Sequence, residues 1–390
     1  MYINSLHIDK YKVLEDLKID FQIPEDSKLE NGNIVNVIAG INGSGKTSLL
    51  EWIFGYLGNH IKISKNGNQI HYAHELITTG SLNINDNDLN STISQNNFKE
   101  FTEKVVQNKF TNNQKVIFFD SNTIRNENII TSGKHPFEEQ KFINFMDSQH
   151  ILKASENFIS KYILNQERIS RESDPKKRTK SVVKEFNTIF SSTPLLSKLE
   201  TLNTDLKPIF RTLNNQLIGI EQLSSGEKQL YGRAIILKML NPQNSVILID
   251  EPEVSLHPQW QSEILNIYQN IGRNNQFIVT THSPSIIINT NYKNLMFLKK
   301  EGNSIAIEEF KNRTQSPHKD INTFLKTEMG SEYLPKKLIR LQNEYQKLFD
   351  KQQEDSPKGE KLKKEILEWD SPNSSFWQGI AFDRELRDFE

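Results

Sequence analysis

The first chemical signal in the chain is Gly40-Ile41-Asn42-Gly43-Ser44-Gly45-Lys46-Thr47, which fits G-x4-G-K-[ST]. It follows an apolar run, Ile34 to Ala39, broken only by Asn36, and precedes a segment where Leu49, Leu50, Ile53 and Leu57 recur at helical spacing. A buried strand, a glycine-rich turn and a helix are what phosphate binding requires. Glycines let backbone N–H groups wrap the phosphates, a lysine neutralises the β and γ oxygens, and a hydroxyl faces a divalent cation. On this reading Asn42, Gly43, Ser44, Gly45, Lys46, Thr47 and Ser48 bind ATP, and Thr47 is a ligand of Mg²⁺. A glycine-rich turn without a ligand is the bland alternative, and the strand–helix context argues against it.

Val246-Ile247-Leu248-Ile249-Asp250-Glu251 is an apolar run closed by two carboxylates, the form of a Walker B strand. Asp250 would hold Mg²⁺ and Glu251 would orient, or accept a proton from, the attacking water. Leu223-Ser224-Ser225-Gly226-Glu227-Lys228-Gln229 precedes a helical pattern and, by itself, reads as an ordinary N-cap. Phe277 to Thr280 reads as a strand that runs into Thr281-His282-Ser283-Pro284. A lone histidine there is usually a structural hydrogen-bonder.

Taken in order, these segments resemble the ATP-binding-cassette superfamily, in the branch of RecF-like, SMC-like and OLD-like ATPases. The resemblance implies a signature loop in which Ser224, Gly226 and Glu227 meet the γ-phosphate held by a second copy, at a helix N-terminus. It also implies that His282 touches the γ-phosphate, so that Lys46, Glu251 and His282 form the catalytic set. Glu251-Pro252-Glu253-Val254-Ser255-Leu256-His257-Pro258 resembles the D-loop of the RecF-like and OLD-like branches, with His-Pro where transporter ATPases carry Asp. No Q-loop glutamine is assignable among Gln95, Gln107 and Gln114.

The elements that would position these residues follow from periodicity. Residues 2–9 and 13–21 alternate, which predicts a hairpin and not a signal peptide; its link Lys10-Tyr11-Lys12 is either an adenine contact or a solvated turn. A strand is expected near Leu76 to Ile84 and another at Val116 to Phe119. Further strands are expected at Ile209–Arg211, Gln216–Glu221, Leu295–Leu298 and Ile305–Glu309, with helices at Ser225–Leu240 and Pro258–Ile271. The predicted fold is α/β: an ATPase head with a mixed sheet (residues 1–121 and 208–315), an inserted helical lobe (122–207) and a C-terminal helical module (316–390).

Composition narrows the function. With 48 Lys+Arg against 49 Asp+Glu there is no global basic field, and with no Cys there is no thiolate metal site or cysteine nucleophile. No window is apolar enough to span a bilayer, so a cytoplasmic chain without a membrane partner is expected. Arg171, Lys176, Lys177, Arg178, Lys180 and Lys184 form either a solvated helix face or a patch for nucleic-acid phosphates. His71 and His74 have metal-like spacing without a convincing third ligand. Residues 283–390 lack the acidic pair of a Toprim nuclease. The segment Ser316 to Leu325 with Met329-Gly330 resembles the PtuA-like ATPase subunits of Septu and retron anti-phage systems, which implies a homodimer or higher oligomer controlling a separate HNH nuclease. The alternative is a RecF/SMC-like DNA-binding ATPase of repair. Trp369, Phe376, Trp377, Ile380 and Phe382 suggest either docking on the ATPase body or a partner surface.

Overall fold

The computed structural model describes residues 1–23, 31–58, 80–86, 89–93, 114–121, 143–191, 195, 197–302, 304–309, 335–372 and 374–389. The alternating N-terminus forms an antiparallel pair, β1 (Tyr2–Tyr11) and β2 (Leu14–Asp20), with Ile3, Leu6, Ile8, Leu14, Leu17 and Ile19 buried. The continuous apolar run is β3 (Ile34–Gly40), buried at every residue, and α1 (Lys46–Gly58) follows the glycine-rich turn. Two more strands, β4 (Ser81–Asp86) and β5 (Leu89–Ile93), extend the first pair into a sheet of order β2-β1-β4-β5. The strand expected near Leu76 to Ile84 therefore lies further along the chain and has a partner of its own.

The second sheet positions the site. Its order is β14 (Ser304–Glu309), β13 (Leu295–Glu301), β3, β12 (Gln276–Thr281), β11 (Val246–Asp250), β6 (Val116–Asp120) and β7 (Ile143–Asp147). From β13 to β7 neighbours are parallel, and β14 is antiparallel to β13. Strands covered on both faces lose the polar half of their alternation, which is why β3, β11 and β12 read as unbroken apolar runs. In α1 the consecutive residues Leu49 to Phe54 are all buried, and its side chains share one core with Ile3, Leu6 and Leu14 of the hairpin and with Ile38, Phe118, Leu248 and Ile278 of the parallel sheet. A helix apolar on all sides needs such a position between two sheets.

Residues 148–240 contain α2 (Ser148–Ile169), α3 (Pro175–Thr188), a three-stranded antiparallel sheet of β8 (Ser197–Leu202), β9 (Pro208–Thr212) and β10 (Leu217–Gly219), and α4 (Ser225–Leu240). Among the described residues of 122–207, expected as a helical lobe, there are two strands. β7 extends the parallel sheet, and β8 alternates, with Leu199 buried between exposed Lys198 and Glu200. Its charged face belongs to a half-solvated sheet, and in sequence that resembles charged helical text. Phe186, Phe190 and Phe210 surround Tyr231 with ring centroids 4.8–5.7 Å from it, joining α3 and β9 to α4. The helix expected at Pro258–Ile271 is divided into α5 (Pro258–Gln261) and α6 (Ile264–Gln269); α7 (Pro284–Asn289) caps the strand that precedes it.

Residues 320–390 form a second compact unit. Its helices are α8 (Lys336–Phe349), α9 (Pro357–Leu367) and α10 (Ser375–Phe389). Leu338, Leu341, Tyr345 and Phe349 make a stripe on α8 that meets Leu362 and Ile366 of α9 and Ile380 of α10, with Phe376 and Trp377 packed against it. Trp377 is half-buried against the unit's own core, while Trp369 and Phe382 are 48% and 61% exposed. Leu334 and Ser316 to Gly330 lie outside the described residues. Among the described residues no helix is long and apolar enough to cross a membrane.

Candidate nucleotide site

Parallel strands deliver their carboxyl ends to one edge of the sheet, the usual place for a ligand in α/β folds. Here the ends of β3, β12, β11 and β6 lead into Ile41, His282, Glu251 and Ser121 respectively. In the glycine-rich loop Gly43 and Gly45 have φ of 79° and 90°, and a Cβ on Gly45 would approach Leu14 Cδ2 to 2.6 Å, so the β1–β2 turn sits directly on the loop. Lys46 Nζ donates to Gly40 O at 2.9 Å and Ile41 O at 3.0 Å. Burial lowers the pKa of Lys46, against the opposing pull of Glu251, Asp250 and Glu253. Asn42 and Gly43 are exposed, Ser48 is half-buried, and Ser44 is buried with an Oγ that has no hydrogen-bond partner among the described residues.

Asp250 is fully buried and gathers hydroxyls. Thr47 Oγ1 donates to it at 3.0 and 3.2 Å, Ser121 Oγ to Oδ2 at 2.6 Å, and Thr280 Oγ1 to Oδ1 at 2.6 Å. A carboxylate among hydroxyls is an all-oxygen donor set that suits a hard cation such as Mg²⁺. The next residue, Glu251, has φ 42°, a left-handed conformation that costs a side-chain-bearing residue about 1–3 kcal/mol and occurs where function fixes the backbone. That turn places its Oε1 3.1 Å from His282 Nδ1. The hydrogen bond lowers the pKa of Glu251 and raises that of His282.

Buried Glu253 holds the end of β12 from below. Its Oε1 accepts from Thr281 Oγ1 at 2.6 Å, His282 N at 2.9 Å and Ser283 N at 3.1 Å, and lies 3.5 Å from His282 Nδ1. Burial nonetheless raises its pKa. Ser121, Thr280 and Glu253 escaped the sequence reading because each acts through a residue distant in the chain. The Thr-Thr-His ending of β12 was their one local signal.

Ser224, Gly226 and Glu227 stand apart from this cluster. Ser224 caps α4 by accepting from Glu227 N at 3.2 Å, while Glu227, buried, accepts from Ser224 N and Oγ. The Glu227 carboxylate therefore braces Ser224 rather than facing outward, and Ser224 and Ser225 remain exposed at the helix N-terminus. A Cβ on Gly226 would meet Ser255 O at 2.5 Å, and fully buried Arg233 donates to Pro252 O at 3.1 Å, so α4 is fastened to the turn beyond Glu251. His257 Nδ1 accepts from Gln259 N and caps α5. Lys12 pairs with Glu51 and lies 5.4 Å from the Tyr11 ring centroid, tying the hairpin link to α1. Gln114 precedes β6 and is at the opposite end of that strand from Asp250; Gln95, Gln107, His71 and His74 lie outside the described residues.

A family model described as "AAA domain, putative AbiEii toxin, Type IV TA system" matches residues 35–289. Septu protein PtuA of Bacillus thuringiensis is 27% identical over 304 residues, 70% of this chain and 73% of that protein. The Retron Ec83 probable ATPase of Escherichia coli is 37% identical over 97 residues, 22% of this chain, which therefore spans only 18% of that relative. Among solved structures, an SMC head bound to the C-winged-helix domain of ScpA is 14% identical with a TM-score of 0.45, covering 79% of this chain and 98% of the head.

Proposed function

The chain belongs to the AAA-domain, putative AbiEii toxin family of ATPases, and from that premise we propose that it hydrolyses ATP as a head-to-tail pair of chains. In doing so it controls a separately encoded nuclease, of the HNH type, in cytoplasmic anti-phage defence. One observation carries the reading: Lys46, Thr47, Asp250, Glu251 and His282 converge at one sheet edge, with Glu251 held next to His282 by a left-handed turn.

In this mechanism the Lys46 ammonium exchanges its two loop carbonyls for the β and γ oxygens of ATP, while the first N–H groups of α1 point at the phosphates. Thr47 and Asp250 would hold Mg²⁺, which would neutralise charge on those oxygens. Glu251, ionised and fixed by His282, takes the proton of the attacking water. The exposed Ser224–Ser225 end of α4 is free to meet the γ-phosphate of the other chain. Similarity to PtuA over most of both proteins supports the defence role.

The test is phage plating on cells carrying this gene with the adjacent reading frame. Protection that requires both genes and is lost in Lys46→Ala and Glu251→Gln supports the proposal; protection unaffected by either substitution contradicts it. A second reading, a RecF/SMC-like DNA-binding ATPase of repair, rests on Lys176, Lys177, Lys180 and Lys184, which are exposed on α3 opposite buried Val182, Val183 and Phe186. It requires DNA binding that falls steeply with salt and weakens when these lysines are replaced.

A further inference from the structure

Resting on the nucleotide reading above, we infer that Ser121 is a direct ligand of the divalent cation that accompanies ATP, completing an oxygen set with Thr47 and Asp250. The placement follows from strand register. β6 pairs in parallel with β11, Phe119 opposite Ile249, so the residues after Asp120 emerge beside Asp250 and Glu251 at the phosphate-binding edge. Ser121 Oγ lies 2.6 Å from Asp250 Oδ2, and Thr47 Oγ1 lies 3.0 Å from the same oxygen.

The three hydroxyls on Asp250 divide by burial. Thr280 is fully buried and donates to Oδ1, so the carboxylate is already oriented from the interior. Thr47 and Ser121 are half-buried and flank Oδ2. A hydroxyl that gives its proton to a carboxylate keeps lone pairs with which to bind a cation. Adjacent oxygens around an octahedral Mg²⁺, each about 2.1 Å from the metal, are about 3 Å apart. Oδ2 stands at about that separation from both hydroxyl oxygens, so the set needs only small movements to bind. Ser121 is thus the side chain at the end of β6 that supplies the ligand for which no glutamine could be assigned.

The chain contains no cysteine, so Ser121→Cys introduces its only thiol. With Cd²⁺ and a non-hydrolysable ATP analogue, this variant should give the ultraviolet charge-transfer band of a cadmium thiolate, absent from wild type and absent without the analogue. Ser121→Ala should raise the Mg²⁺ concentration for half-maximal analogue binding by at least about tenfold, the lower end of the cost of losing even an outer-shell partner. Analogue binding in EDTA should not change. The inference is overturned if the cysteine variant binds the analogue with Cd²⁺ but shows no band, or if Ser121→Ala leaves the Mg²⁺ requirement unchanged. Wild type that binds no analogue, with or without Mg²⁺, would overturn the nucleotide reading itself, and the role of Ser121 with it.

Discussion

Glu251 combines a backbone strain with an ion-pair partner, and each makes sense only if its carboxylate must occupy one place. Glu251→Gln keeps the size of the side chain and removes its basicity, so ATP turnover should fall by about 100-fold or more while nucleotide binding persists. Phosphate release and nucleotide titration measure the two separately, and equal turnover would remove Glu251 from the mechanism. Glu253 stands two residues on and does different work. Glu253→Ala would leave the Thr281 hydroxyl and the His282 amide without their buried acceptor, while the Ser283 amide keeps Thr281 Oγ1 at 3.0 Å, a loss of about 2–4 kcal/mol in chemical denaturation. An unchanged midpoint would mean that these donors have another acceptor. Asp250 and Glu251 were legible in sequence because two carboxylates closing an apolar run are conspicuous. Glu253 and Ser121 were not, since their partners lie 28 to 30 and 129 positions away.

Among the elements, α4 links the exposed Ser224 end to the turn beyond Glu251, and its fit against α2 depends on one missing side chain. A Cβ on Gly232 would come within 2.5 Å of Ile151 Cγ2. Gly232→Ala should therefore destabilise the chain by about 1–3 kcal/mol, read from denaturant midpoints, unless α2 shifts without cost. In the C-terminal unit the critical group is Glu354, nearly buried and paired with Arg384 and Arg387. Burial pushes its pKa up, but hydrogen bonds from Arg387, the backbone and Arg384, with the charge of Arg387, prevail and the net direction is down. A carboxyl whose folded pKa is lowered contributes stability above its unfolded value, near 4.5, and loses it as pH falls through the folded value. The melting difference between wild type and Glu354→Gln should accordingly be large at neutral pH and vanish in acid; a difference independent of pH would mean the ion pairs are not its source. Most elements could be read from periodicity, including α1 and α4. β7 and β8 could not, because a short edge strand and a half-solvated strand carry too few apolar residues to stand out from charged helical text.

For the whole molecule, composition gave exclusions and little else: a charge balance near zero and the absence of cysteine say what the chain does not use. The two sheets enclosing α1 were visible as alternating and continuous apolar runs, whereas the aromatic C-terminus did not reveal in sequence that Phe376 and Trp377 pack against a small core in their own unit. Lys46, Thr47, Asp250, Glu251 and His282 come together within one chain, whereas Ser224 and Ser225 are exposed at the start of α4, and the central claim is that a second copy uses them. The most direct test is the mass in solution of the Glu251→Gln protein, by light scattering or sedimentation, with and without ATP and Mg²⁺. The mass should double only when ATP and Mg²⁺ are both present, and Lys46→Ala should abolish the change. A protein that stays monomeric at saturating nucleotide would contradict the head-to-tail account.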